Sequence, residues 1–209
     1  MYVPKPFVIG ETSAIHDAIE TVGLALLVTA TSAGPVATHL PLLLVRDEGA
    51  FGTLYGHVAR ANGQWQAETI GDALAVFQGP DAYVTPSWYA TKAENGRVVP
   101  TWNYRAVHAS GPVTFFQDRD RMLDVVTRLT NRHESRRAAP WAVDDAPADH
   151  IDKLLRAIVG LRLPIRSLLG SCKMNQNKNP ADRRGVLEGL RAEGGPAIAR
   201  LAEESLGAD

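Results

Sequence analysis

The residues with the most chemical capacity in this chain fall in five short segments. Thr38-His39-Leu40-Pro41 interrupts an otherwise apolar run, and Gly56-His57-Val58-Ala59-Arg60-Ala61-Asn62 follows a strand-like stretch. Gln78 through Tyr89 is thick with aromatics. Val99-Pro100-Thr101-Trp102-Asn103-Tyr104 runs on to His108 with Trp, Asn, Tyr, Arg and His in one strand-like segment. Lys173-Met174-Asn175-Gln176-Asn177-Lys178 is a polar run just before a helix. In the second segment His57, Arg60 and Asn62 concentrate three donors of the kind that hold a phosphate. Several familiar sites are absent from the sequence. It has no Gly-x-Gly-x-x-Gly after a strand, no Gly-rich nucleotide loop ending in Gly-Lys-Ser/Thr and no Gly-x-Ser-x-Gly elbow. The six histidines lack His-Glu-x-x-His spacing, and one cysteine cannot build a thiolate zinc site, so no metal centre is expected. Cys172 reads as a small buried thiol rather than a nucleophile.

These segments sit in a chain of 209 residues, 45% apolar and 22% charged, enough for one compact domain with a sizeable core. The longest apolar runs, 24–30 and 40–45, are far short of the roughly 20 residues a membrane-spanning helix needs. The N-terminus carries no apolar signal core, and a lone cysteine excludes an internal disulfide, so a cytoplasmic location is expected. A net charge of −1 gives no global reason to expect nucleic-acid binding.

The elements that must position the five segments are mostly strands. The spacing predicts a helix over 12–22, then strands over 24–30, 36–45 and 51–57 separated by Gly-bearing turns. A short helix is expected over 61–69, and further strands over 73–78, 82–85, 98–109 and 113–116, with 78–89 read as a turn between two strands. Asp118 can cap a helix to about Arg132 with Met122, Leu123, Val126 and Leu129 inward. Pro147 opens another helix, residues 159–165 alternate like a strand, and 168–174 can return beside it. Asn179-Pro180 starts a helix with a cap and a proline at its first position. Many consecutive strands without regular crossover helices argue for a mainly β, antiparallel barrel-like fold with peripheral helices. One domain over 1–209, with C-terminal helices from about 180, is the expected organisation.

Taken together and in order, Met1-Tyr2-Val3-Pro4, His39-Leu40-Pro41, the GHVARAN, QGPDAYVTPSWY and VPTWNYRAVH stretches, His133-Glu134, the KMNQN run and DRRGV resemble the PaiB-like FMN-binding negative transcriptional regulators. The resemblance runs from Met1 to about Leu190 and departs at Gly63 and Asn175, where proline and serine are the family's residues. It implies an FMN-binding split β-barrel related to the pyridoxamine-phosphate-oxidase-like flavoproteins, a homodimer with FMN at the subunit interface. The donors FMN requires are then assigned as expectations. His57, Arg60 and Asn62 would serve its phosphate. Trp102 and Tyr104 would wall its ring, and Asn103, Gln176 and Asn177 would meet its pyrimidine edge. Thr38, His39 and Leu40 would line the site from their strand. Lys173 beside the ring would raise its reduction potential.

Plainer readings stand beside each of these. His39 also reads as a satisfied structural histidine, Trp88 and Tyr89 as core or interface aromatics, and Gln176 and Asn177 as helix caps. The Arg132, Arg136, Arg137 group reads as a solvated face rather than a DNA patch. The resemblance implies a repressor, yet the sequence shows no helix-turn-helix, zinc finger or strongly basic face. The alternative is a flavin oxidoreductase using a reduced nicotinamide and a small acceptor. A third reading has haem in place of FMN, ligated by His39 or His108. DNA is supported by neither charge nor motif, and no membrane partner is expected.

Overall fold

The computed structural model describes residues 1–206 and contains nine strands and six α-helices among them. In chain order these are α1 (Thr12–Thr21), β1 (Ala25–Thr31), β2 (Gly34–Leu40), β3 (Leu43–Val45), β4 (Thr53–Ala59), β5 (Ala73–Val84), α2 (Thr91–Asn95), β6 (Thr101–Gly111) and β7 (Thr114–Phe116). They continue with α3 (Arg119–Glu134), α4 (Ala148–Leu155), β8 (Ile158–Pro164), β9 (Ser167–Lys173), α5 (Pro180–Gly189) and α6 (Pro196–Leu206). The strands form a five-stranded sheet ordered β2-β1-β5-β6-β9 and a four-stranded sheet ordered β3-β4-β8-β7. Antiparallel pairing joins β1 to β2 and β5, β3 to β4, and β8 to β4 and β7. The expected class, antiparallel β with peripheral helices, is what forms. No helix among the described residues is long and apolar enough to cross a membrane.

The chain clusters into two compact units. One comprises Met1–Ile15, Gln78–Val107 and the residues from Leu169 on; the other comprises His16–Phe77 and His108–Leu168.

In the second unit β1 and β2 make a hairpin in register Leu26↔His39 and Thr31↔Gly34. Gly34 closes its turn at φ 112, a conformation that costs other residues heavily. The expected single strand over 36–45 is two, because Pro41 has no N–H to give a ladder and the chain bends there. The helix expected over 61–69 is a single 3-10 turn, Gly63–Trp65, capped by Asn62. Asp118 caps α3 as its sequence predicts, accepting from the Arg121 N–H. The face of α3 that packs is Met122, Val125 and Leu129 rather than one centred on Val126, and Val125 and Leu129 meet Leu43, Tyr55 and Phe116. Gly160 makes that packing fit, since a Cβ there would fall 2.3 Å from the Phe116 ring.

Glu48, Tyr55 and Arg162 form a polar knot on the same sheet. Arg162 Nη2 donates to Glu48 Oε1 at 2.6 Å and the Tyr55 hydroxyl donates at 2.9 Å. Burial works to raise the Glu48 carboxyl, but the hydrogen bonds from Arg162 and Tyr55 outweigh it and hold the group below its ordinary value of 4.5. A depressed carboxylate favours the folded state above its unfolded pKa, and that contribution is lost as pH falls through the folded value. Melting temperature followed from about pH 6 to about pH 3 should therefore fall less steeply in Glu48→Gln than in the wild type; identical slopes would mean the knot carries no linkage.

The first unit is built on the outer part of β5 and β6, β9, and the last two helices. Val84, Tyr89, Met174, Val186, Leu190 and Ile198 form its core, with Trp88 and Cys172 against them. Strand β5 runs straight through Gly79-Pro80, where the sequence suggests a turn. Gly79 favours it: a Cβ there would lie 3.1 Å from the Arg105 carbonyl, a tight contact with β6 that glycine avoids. Asn179 caps α5 by accepting from the Asp182 N–H, and Pro180 follows at its first position, as expected.

Candidate functional site

The twelve expected site residues divide between the two units, six in each. In the second unit they come from β2 and from the end of β4 with the turn that follows. Asn62 and Thr38 are brought together, the Asn62 Nδ2 donating to Thr38 Oγ1 at 2.9 Å while Asn62 Oδ1 accepts from Gln64 N–H at 3.0 Å. Leu40 is core and His39 is exposed on the outer side of its strand. Arg60 turns its fork inward upon the protein. Its Nε donates to the Arg156 carbonyl at 2.6 Å, Nη1 to Gln117 Oε1 at 2.6 Å and Nη2 to the Ile158 carbonyl at 3.1 Å. Two of its N–H groups thus clamp the α4–β8 connection and a third holds Gln117, between β7 and α3. Arg60, expected among the phosphate donors, has most of its fork engaged within the protein.

His57 is different. It is half-buried, its Nδ1 is shielded from solvent without a hydrogen-bond partner, and it lines a cavity of about 320 Å³ with Pro41, Leu129, His133 and Trp141. Burial pushes its imidazole below the ordinary pKa, so it is neutral at pH 7. Gly56 lets the Leu40-Pro41-Leu42 bend sit against β4 beside it, since a Cβ would fall 2.8 Å from the Leu42 side chain and 3.0 Å from the Pro41 carbonyl.

In the first unit the period of two along β6 separates residues that the sequence reading grouped. Trp102 is 53% exposed and meets Tyr83 edge-on, ring centroids 6.0 Å apart. Tyr104, two residues on, is half-buried. Asn103 points to the opposite face, is fully buried, and has neither Oδ1 nor Nδ2 hydrogen-bonded. Lys173 donates to Thr101 Oγ1 at 2.5 Å, so its ammonium is held by the protein rather than loose in water. Gln176 folds back on its own loop, accepting from Met174 N–H and donating to the Cys172 carbonyl, and Asn177 is exposed. Burial pushes the Cys172 thiol up, which suits a structural cysteine.

Three residues were given no site role by sequence. Gln64 is buried across β1 and β2, its Nε2 donating to Thr29 Oγ1 at 3.0 Å. Asp182 accepts from the N–H and hydroxyl of Thr91 at 2.9 Å each. Asn175 is buried at φ 63 with Nδ2 unpartnered. No composition or spacing rule marks Gln64; the other two lie inside motifs already singled out.

Each unit, taken by itself, offers groups of a kind a flavin mononucleotide uses. His57 Nδ1 is an enclosed polar atom awaiting a partner, Trp102 offers an open aromatic face, and Lys173 is a positioned cation. Residues 1–167 match the protein family described as "Putative FMN-binding domain". The chain belongs to this FMN-binding family, and FMN is its cofactor. It is similar to the protease synthase and sporulation protein PAI 2 of Bacillus subtilis, 33% identical over 204 residues, which cover 97% of this chain and 95% of that one. That similarity agrees with the PaiB-like pattern in the sequence. Its fold is shared with the flavocytochrome Anf3 of Azotobacter vinelandii (TM-score 0.59, 14% identity, 88% of this chain and 78% of that one). It is shared too with the FAD and heme binding protein of Mycobacterium smegmatis (TM-score 0.58, 18% identity, 90% and 80%).

Proposed function

We propose that the protein is a cytoplasmic homodimer that holds FMN at the subunit interface and acts as a regulator, in the manner suggested by its near full-length similarity to a sporulation protein. Within this reading His57, Thr38 and Asn62 serve the phosphate, and Trp102, Tyr104 and Lys173 serve the ring. The whole chain works as one FMN-binding domain. Bound FMN supplies electron and hydride transfer, and the surrounding side chains set its orientation and potential.

The observation that favours regulation without direct DNA reading is the state of the arginines at the end of α3. Arg132 donates to the carbonyls of Leu42 and Glu20 at 3.2 and 2.7 Å, and Arg137 pairs with Glu134 at 3.0 Å. Such engaged cations make a poor phosphate-backbone patch. Regulation therefore runs through the flavin or through another protein. Anaerobic mixing of the FMN-loaded protein with NADH or NADPH tests this against an oxidoreductase. The flavin absorbance should persist on the timescale of enzyme turnover, typically about 10 per second; bleaching at that rate would replace the regulator with an enzyme.

A further inference from the structure

The outer end of the first unit holds a cavity of about 530 Å³ whose chemistry does not suit an anionic cofactor. Its walls are the rings of Tyr83, Trp88 and Trp102, and its polar groups include the carboxylates of Asp81 and Glu193. Among the described residues no lysine, arginine or histidine lines it. We propose that this cavity is a binding site for an organic ammonium ion, whose charge sits against the aromatic faces and between the two carboxylates.

Each wall is held in place before any ligand arrives. Tyr83 and Trp102 brace each other at an interplanar angle of 69°. Trp88 lies in a 3-10 turn, Pro86–Trp88, capped by Thr85, and is pressed against α5 at two glycines one helical turn apart. A Cβ on Gly189 would fall 2.2 Å from the Trp88 ring, and one on Gly185 would fall 2.0 Å from the Trp88 carbonyl. The helix is cut away to seat this ring. Asp81 accepts from Gln78 Nε2 through Oδ2 at 3.2 Å, and among the described residues no hydrogen bond is made to its Oδ1. Glu193 stands on the π-helical turn Leu190–Gly194 between α5 and α6, a kind of helix irregularity often found at functional sites. It has no ion-pair partner among the described residues.

The physics selects the ligand class. Aromatic faces carry negative quadrupoles and attract alkylated ammonium ions, which shed their weak hydration readily. Two uncompensated carboxylates strengthen that attraction and repel phosphates and carboxylates. The volume falls within the range of small-molecule sites, so the ammonium would carry a chain or ring rather than bind as a bare ion.

Choline and its neutral carbon isostere, 3,3-dimethylbutan-1-ol, provide the test. They differ in charge at nearly constant shape. Each is titrated into the full chain at fixed ionic strength, with and without FMN, and read by calorimetry alongside tryptophan fluorescence. Choline should bind saturably and at least about tenfold more tightly than the alcohol, equivalent to about 1.4 kcal/mol. Glu193→Gln, an exposed change, should weaken choline about tenfold, and Tyr83→Leu, at a second exposed position with no part in the flavin site, should weaken it further. Equal binding of the two probes, no saturable choline binding, or unchanged affinity in Glu193→Gln would each overturn the proposal. FMN affinity is measured on the same samples from flavin absorbance, so loss of the ammonium site and loss of the flavin reading are told apart.

Discussion

An Arg60→Ala variant should lose about 2 kcal/mol of folding stability and still bind FMN as the wild type does. Arg60 makes three charge-assisted hydrogen bonds, two of them to backbone carbonyls at the α4–β8 connection. In a dry interior such bonds contribute about 1.5–3 kcal/mol each. Two of the three lie in solvent reach, and screening with side-chain entropy reduces the sum. The backbone at this point is tied as well, with Arg60 N–H donating to the Ala157 carbonyl and Trp65 Nε1 donating to the Arg60 carbonyl, both at 2.8 Å. The turn should therefore survive while its clamp is lost. Urea denaturation and FMN titration on one preparation check both halves. Unchanged stability with affinity lowered tenfold would return Arg60 to the phosphate.

His57 carries the second large effect. Burial holds its imidazole neutral, and a phosphate dianion beside Nδ1 would raise its pKa again, so binding would take up a proton. Affinity for FMN should then rise as pH falls through the range where the bound-state imidazole is protonated. The limiting slope is about tenfold per pH unit for one proton. FMN's own phosphate titrates near pH 6 and bends the curve below that. His57→Gln removes the imidazole and leaves the phosphate titration, so the difference between the two curves isolates the histidine. Between about pH 8 and pH 6.5 the variant should be flat where the wild type gains several-fold. Parallel curves would place the phosphate elsewhere.

What could be read from the sequence was local. The Asn179 and Asp118 caps and the turn before Gly34 each depend on neighbours within a few residues, and each forms as expected. Arg60 shows the limit. Its partners Gln117, Arg156 and Ile158 lie 57 to 98 residues away, and nothing in GHVARAN reveals that the fork will turn to them. Asn103 shows a different one. Strand alternation alone separates it from Trp102 and Tyr104, and a motif taken as a block conceals that its amide is sealed inside the protein. The continuous β5 strand depends on a close approach between Gly79 and Arg105, a tertiary fact that overrides the usual meaning of Gly-Pro. The ammonium cavity was visible in sequence only as an aromatic-rich stretch, because Asp81 and Glu193 meet there from opposite ends of the unit's chain segments.

The central claim is that this chain holds FMN as a dimer, and sedimentation followed at flavin wavelengths tests it in one run. FMN is added in increments to the purified full chain at micromolar concentration. Flavin absorbance should move with a species of twice the chain mass and saturate at one FMN per chain. Flavin that sediments free, or that saturates on a species of single chain mass, would contradict it.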